Sequence, residues 1–194
     1  MNAFHNRQIA ASVVALWILY AHAAIAATIV KAPSQSRSVV ISVVGELVPG
    51  DEDKFVQVAG TLARAVVIFE GPGGNLFAGI EIGKIIRFKQ FDTLVPNGSA
   101  CASACALAWL AGATRLIGAT GRIGFHAPYA RRSDVISVSA VGNAAVIAYL
   151  NELGLSAAAT RYITKAPPEQ MKWLGFLEAR SVGIDVRRAG RPPL

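Results

Sequence analysis

Apolar residues in this chain fall in short blocks, separated by glycine, proline and polar clusters. Two blocks are continuous and β-branched, residues 38–44 (SVVISVV) and 65–69 (AVVIF). Their length and content predict buried strands. Residues 93–95 (TLV), 115–117 and 122–125 read as further short strands. Between them the spacing turns helical. Asp51 is the expected N-cap of a helix over 51–62, with Glu52 and Asp53 in its first turn and Phe55, Val56, Val58, Ala59 and Leu62 at helical period. Residues 78–88, 102–111, 143–153, 155–164 and 176–182 are predicted helices. Gly71-Pro72-Gly73-Gly74 reads as a sharp turn, 128–138 as an irregular loop, and Pro167-Pro168 as a forced break. This alternation of strand and helix predicts a single α/β domain with a mostly parallel sheet over 38–186.

The remaining apolar block, residues 9–27, carries no Lys, Arg, Asp or Glu, follows a start with Arg7, and ends in Ala24-Ile25-Ala26. That order is the pattern of a secretory signal peptide over 1–26. A retained membrane anchor, associating with the bilayer through residues 9–27, is the alternative. Either way the domain is expected outside the cytoplasm, in the periplasm. Residues 27–37 have no apolar period and read as a linker, and 187–194 as a basic tail.

With 53% hydrophobic and 16% charged residues, disorder is excluded. The formal net charge of +7 is scattered rather than clustered with aromatics, so no nucleic-acid partner is expected. No dinucleotide fingerprint, P-loop or calcium loop is present, two cysteines are too few for zinc, and no cofactor is expected.

Candidate chemistry lies in the middle of the chain. Ser103 stands between a strand and an Ala-rich helix, where a nucleophile would meet the free N–H groups of a helix start. Gly73-Gly74 permits close backbone approach, and His126 closes the strand over 122–125. Each taken alone has an ordinary structural explanation: an N-cap serine, a tight turn, a strand-end histidine. Cys101 and Cys105 flank Ser103. A disulfide, two buried thiols and a thiolate nucleophile all fit that spacing.

Taken jointly, Gly71-Pro72-Gly73-Gly74, Ala78-Gly79, Ala102-Ser103-Ala104, Arg115 and Phe125-His126-Ala127-Pro128 resemble the Clp-type serine peptidases within the wider Clp/crotonase fold. Gly74 precedes Ser103 by 29 positions, as in that family, and Ser103 precedes His126 by 23, slightly fewer. Cys101-Ala-Ser103-Ala-Cys105 and Gly124-Phe-His126 look like the exported, periplasmic branch. The resemblance implies a serine hydrolase acting on a peptide or protein substrate. Ser103 would be nucleophile, His126 general base, and the N–H groups of Gly74 and Ala104 the oxyanion hole. It also implies a homo-oligomer as an open question.

Two departures point the other way. Met171 falls where the family places its third acid, with Glu169, Asp134 and Glu152 as weak replacements. Glu70 precedes the glycine turn, where a carboxylate would oppose an oxyanion. A catalytically inactive binding or scaffold protein of the cell envelope is therefore the alternative. An acyl-CoA enzyme of the crotonase type is disfavoured by export.

Overall fold

The structure is a computed structural model describing residues 26–32, 39–132 and 135–190. The leader or anchor expected over 1–26 lies outside those residues, apart from Ala26. Among the described residues no helix is long and apolar enough to cross a membrane.

In chain order the elements are β1 (Thr28–Ala32), β2 (Val39–Leu47), α1 (Asp51–Ala59), β3 (Ala65–Gly74), α2 (Leu76–Lys89), β4 (Asp92–Val95), β5 (Ala100–Ala102) and α3 (Ala104–Leu110). Then follow β6 (Arg115–Ile117), β7 (Arg122–Phe125), β8 (Tyr129–Arg132), β9 (Val135–Val138), α4 (Ala140–Glu152), α5 (Ala157–Thr164), β10 (Lys172–Leu174), α6 (Phe176–Ser181) and β11 (Arg187–Arg188). The expected mixed α/β class with a mostly parallel sheet is what forms.

The sheet forks on β3. Along its first half β3 pairs in parallel with β2 on one side and β4 on the other, and β6 and β11 continue the β4 side. At Gly71 it pairs instead with Cys101 of β5, and β7 and β10 continue from there. The fork leaves the end of β3, the start of α3 and the end of β7 as neighbours. Ile41, Val67, Phe69, Phe91 and Trp109 fill the core beneath it, each fully buried.

Helix α3 is held from several sides. A methyl group built on Gly79 of α2 would come within 2.5 Å of Ala104 O, so only glycine lets the two helices approach this closely. Buried Thr93 donates its hydroxyl to Trp109 O at 2.8 Å. Tyr149 of α4 donates to Leu107 O at 3.0 Å, and burial pushes its phenol well above the ordinary range. Arg115 donates through Nε to Leu110 O, and desolvation lowers its guanidinium, so this residue serves the helix end.

Several expectations need correction. Thr28–Ala32, read as linker, is a strand antiparallel to β2, with Ile29 buried and alternate residues exposed. An edge strand covers one face only, so one apolar residue suffices. Arg187–Arg188, read as tail, pairs in parallel with β6, while 191–194 lie outside the described residues. Residues 128–138, read as loop, carry the β8–β9 hairpin. The glycine run continues β3 to Gly74 rather than turning at Gly71. Asp51 is not the N-cap of α1: Gly50 holds that position, and the buried Asp51 carboxylate accepts from Val48 N and Lys54 Nζ, each at 2.8 Å.

Candidate active site

Ser103 occupies the single residue between β5 and α3, with φ 54° and ψ −124°. A side chain at positive φ outside the left-handed helical well is strained by about 1–3 kcal/mol, and such residues cluster at functional sites. This backbone makes a sharp strand-to-helix turn, of the kind that raises the nucleophile above the sheet in α/β-hydrolases, although no G-x-S-x-G sequence surrounds it. The turn is fixed from both sides. Ser103 N donates to Gly124 O of β7 at 2.8 Å, and Cys101 and Cys105 are joined in a disulfide with Cα atoms 5.3 Å apart. The serine hydroxyl does not cap α3, so the ordinary explanation for a serine at this place does not apply.

Gly73 and Gly74 lie beside that turn with φ of 105° and 115°. A methyl group on Gly73 would fall 2.7 Å from Ser103 Cβ and 2.9 Å from Ala104 N, so the glycine corner is packed directly against the serine turn. Ala104, as first residue of α3, has no intrahelical partner for its N–H.

His126 follows β7 directly. Its Nδ1 lies 2.8 Å from Ala127 O. A carbonyl only accepts, so this contact places the proton on Nδ1 and leaves the lone pair on Nε2. The Tyr129 ring sits 5.7 Å from the imidazole, tilted by 32°. The strand behind is secured by contacts of β10. Arg122 stacks on Trp173 at 4.6 Å, Lys172 lies 3.9 Å from the Tyr162 ring, and Tyr162 donates to Trp173 O at 2.9 Å.

Gly74, Ser103 and His126 line one open cavity of about 510 Å³. Leu107, Phe125, Val146 and Ile163 form its apolar floor, and Phe77, Tyr129 and Val141 its exposed rim. No hydrogen bond joins Ser103 to His126; such contacts commonly tighten only with substrate bound.

The proposed third acids fare differently. Lys172 pairs with Phe125 across the antiparallel β10–β7 ladder, so Met171 falls opposite His126, with its thioether against Gly124. Glu169 and Glu152 are exposed and outside the cavity, and Asp134 lies outside the described residues. The concern over Glu70 is corrected. Its carboxylate accepts from Ser99 Oγ at 2.8 Å and is not part of the cavity wall. The carboxylate that does line it is Glu46, unnoticed in the sequence because parallel register (Glu46 opposite Gly73), not any local motif, brings it there. Among the described residues, no three His, Cys, Asp or Glu side chains gather as a metal site.

No protein-family model and no curated protein sequence matches the chain. Solved structures do. A serine-to-alanine mutant of the 1510-N membrane-bound stomatin-specific protease matches with TM-score 0.59 and 17% identity over 78% of each chain. A lysine-to-alanine mutant of the same protease, in complex with a substrate peptide, matches at 0.59 and 18%, over 78% of this chain and 74% of that one. ClpP1 of Listeria monocytogenes, an asparagine-to-aspartate mutant, matches at 0.54 and 19%, over 77% and 89%. The likeness extends over more than three quarters of this chain, and this chain has the Clp-type serine peptidase fold.

Proposed function

We propose that this protein is an exported serine hydrolase that cleaves peptide bonds in the cell envelope. The observation that carries the reading is the Ser103 backbone: a non-glycine residue at φ 54°, uncapped, beside a cavity shared with a histidine. Ser103 Oγ attacks the carbonyl carbon while His126 Nε2 takes its proton. The tetrahedral oxyanion accepts from the N–H groups of Gly74 and Ala104. His126 then protonates the leaving amine, and water repeats the sequence on the acyl-enzyme. In place of a carboxylate, Ala127 O orients the ring. A neutral carbonyl holds the tautomer but stabilises the imidazolium less than an acid would, so turnover is expected to be slow. Export rests on the apolar leader pattern, and peptide substrates on the peptide-bound relative of the same fold.

Met171 opposite His126 favours a second reading, a binding protein that keeps the fold without turnover. Hydrolysis of a small activated ester and of fluorogenic peptides separates the two. The hydrolase reading expects activity that Ser103→Ala and His126→Ala each lower by at least about 10³-fold. Wild-type rates equal to those of both variants would leave only the binding reading.

A further inference from the structure

The cavity has an electrostatic asymmetry that the hydrolase reading does not use. Among the described residues lining it, Glu46 is the only one with a charged side chain. Glu46 sits on β2 opposite Gly73, and a methyl group on Gly74 would come within 2.8 Å of its Cγ, so its stem lies against the glycine corner. Among the described residues no cation pairs with it: the two ion pairs there are Lys54–Asp51 and Lys84–Glu81. Its side chain is half-buried, so solvent screens it incompletely.

This position has a cost. A carboxylate beside the candidate oxyanion donor Gly74 opposes negative charge developing on the substrate carbonyl. A substrate cation meeting Glu46 removes that opposition and adds a charge-assisted hydrogen bond. We propose that Glu46 is a specificity-determining residue that selects peptides carrying a Lys or Arg side chain, or a free α-ammonium, next to the apolar residue held over Leu107, Phe125, Val146 and Ile163. The inference rests on the peptidase reading and narrows its substrate class from any peptide to a cationic, apolar one.

The backbone gives Glu46 one competitor for that role. Ala27 N donates to Glu46 O at 2.8 Å. A chain processed after Ala26 would carry its own ammonium on that backbone carbonyl, where it would compete with a substrate cation for the carboxylate.

The test uses the processed full-length protein and a set of capped fluorogenic peptides. Each peptide is built around one leucine, with Lys, norleucine or Glu placed in turn at each flanking position. At one position kcat/KM for Lys is expected to exceed that for norleucine by about fivefold, the upper range for a partly exposed pair, with Glu poorest. Glu46→Gln should bring the Lys-to-norleucine ratio near one, and Glu46→Lys should invert it. High salt should compress the ratio in the wild type. Binding of the same peptides to Ser103→Ala, read by fluorescence anisotropy, keeps the two claims apart. No cleavage, but a Lys preference in binding that Glu46→Gln removes, would sink the peptidase reading and leave the cation site standing. A ratio that Glu46→Gln does not change, in cleavage and in binding, overturns the proposal. So does Glu46→Gln shifting all peptides equally, as pairing with the chain's own N-terminus predicts, or no binding of any peptide.

Discussion

The disulfide between Cys101 and Cys105 encloses the strained serine, and replacing both cysteines by alanine tests what the bridge does. Closing a loop between residues four apart removes unfolded-chain entropy worth about 1.9 kcal/mol at 25 °C on the chain-entropy relation. The backbone of Ser103 costs about 1–3 kcal/mol to hold. The two quantities are comparable, so without the bridge the turn is free to relax toward an ordinary helix start. Two effects follow. The urea midpoint should fall by up to about 1 M, taking a slope near 2 kcal/mol per M, and by less as relaxation of the turn recovers its strain. Ester hydrolysis should fall by about 5- to 100-fold as the competent turn becomes a minority conformer. Both cysteines are buried, so dithiothreitol should act fully only after partial unfolding. Lowered stability with unchanged activity would refute the reasoning, because the Ser103–Gly124 hydrogen bond and the glycine corner would then suffice to hold the turn. An unchanged midpoint together with unchanged activity would show that the bridge neither restricts the unfolded chain nor holds the turn.

Other outcomes follow from the same geometry. Gly73→Ala places a methyl group against Ser103 and Ala104 at a φ of 105°, and should cut hydrolysis at least about 10²-fold, measured on the ester. Gly154→Ala is strained by its φ of 75° but meets nothing within 4 Å, and should lower stability while sparing kcat. For Tyr149 the sign is fixed by burial. Its folded-state phenol ionises later than the unfolded one, so its contribution is complete below about pH 10 and fades as pH rises further. Tyr149→Phe should therefore flatten the alkaline loss of stability in urea titrations, at a cost near 1 kcal/mol at pH 7 from the lost bond to Leu107 O.

Most of the sheet was legible from the chain because its central strands read as unbroken apolar runs, as in 65–69, with one face fully buried and the other half-buried. Strand β5 was not. Ala100-Cys101-Ala102 has no β-branched residue and pairs only because β3 forks at Gly71. For the same reason the readable strand before Ser103 is the one over 93–95, although β5 is what feeds the turn. The edge strand β1, strand β9 and β10 are short and mostly exposed, so their pattern is faint. Gly74 and His126 could be singled out because each sits at the end of a readable strand, and Ser103 because it opens a readable Ala-rich helix. Glu46 and Glu70 could not be sorted. Which carboxylate reaches the cavity depends on register: β2 carries Glu46 alongside Gly73, whereas Glu70 is held by Ser99.

The central claim is that Ser103 is a nucleophile activated by its turn and its neighbour His126. The direct measurement is intact-mass and peptide-mapped labelling by a fluorophosphonate. The account predicts a single adduct on the peptide containing Ser103, lost in Ser103→Ala and strongly slowed in His126→Ala. Absence of any adduct, or an adduct that persists in Ser103→Ala, would contradict it.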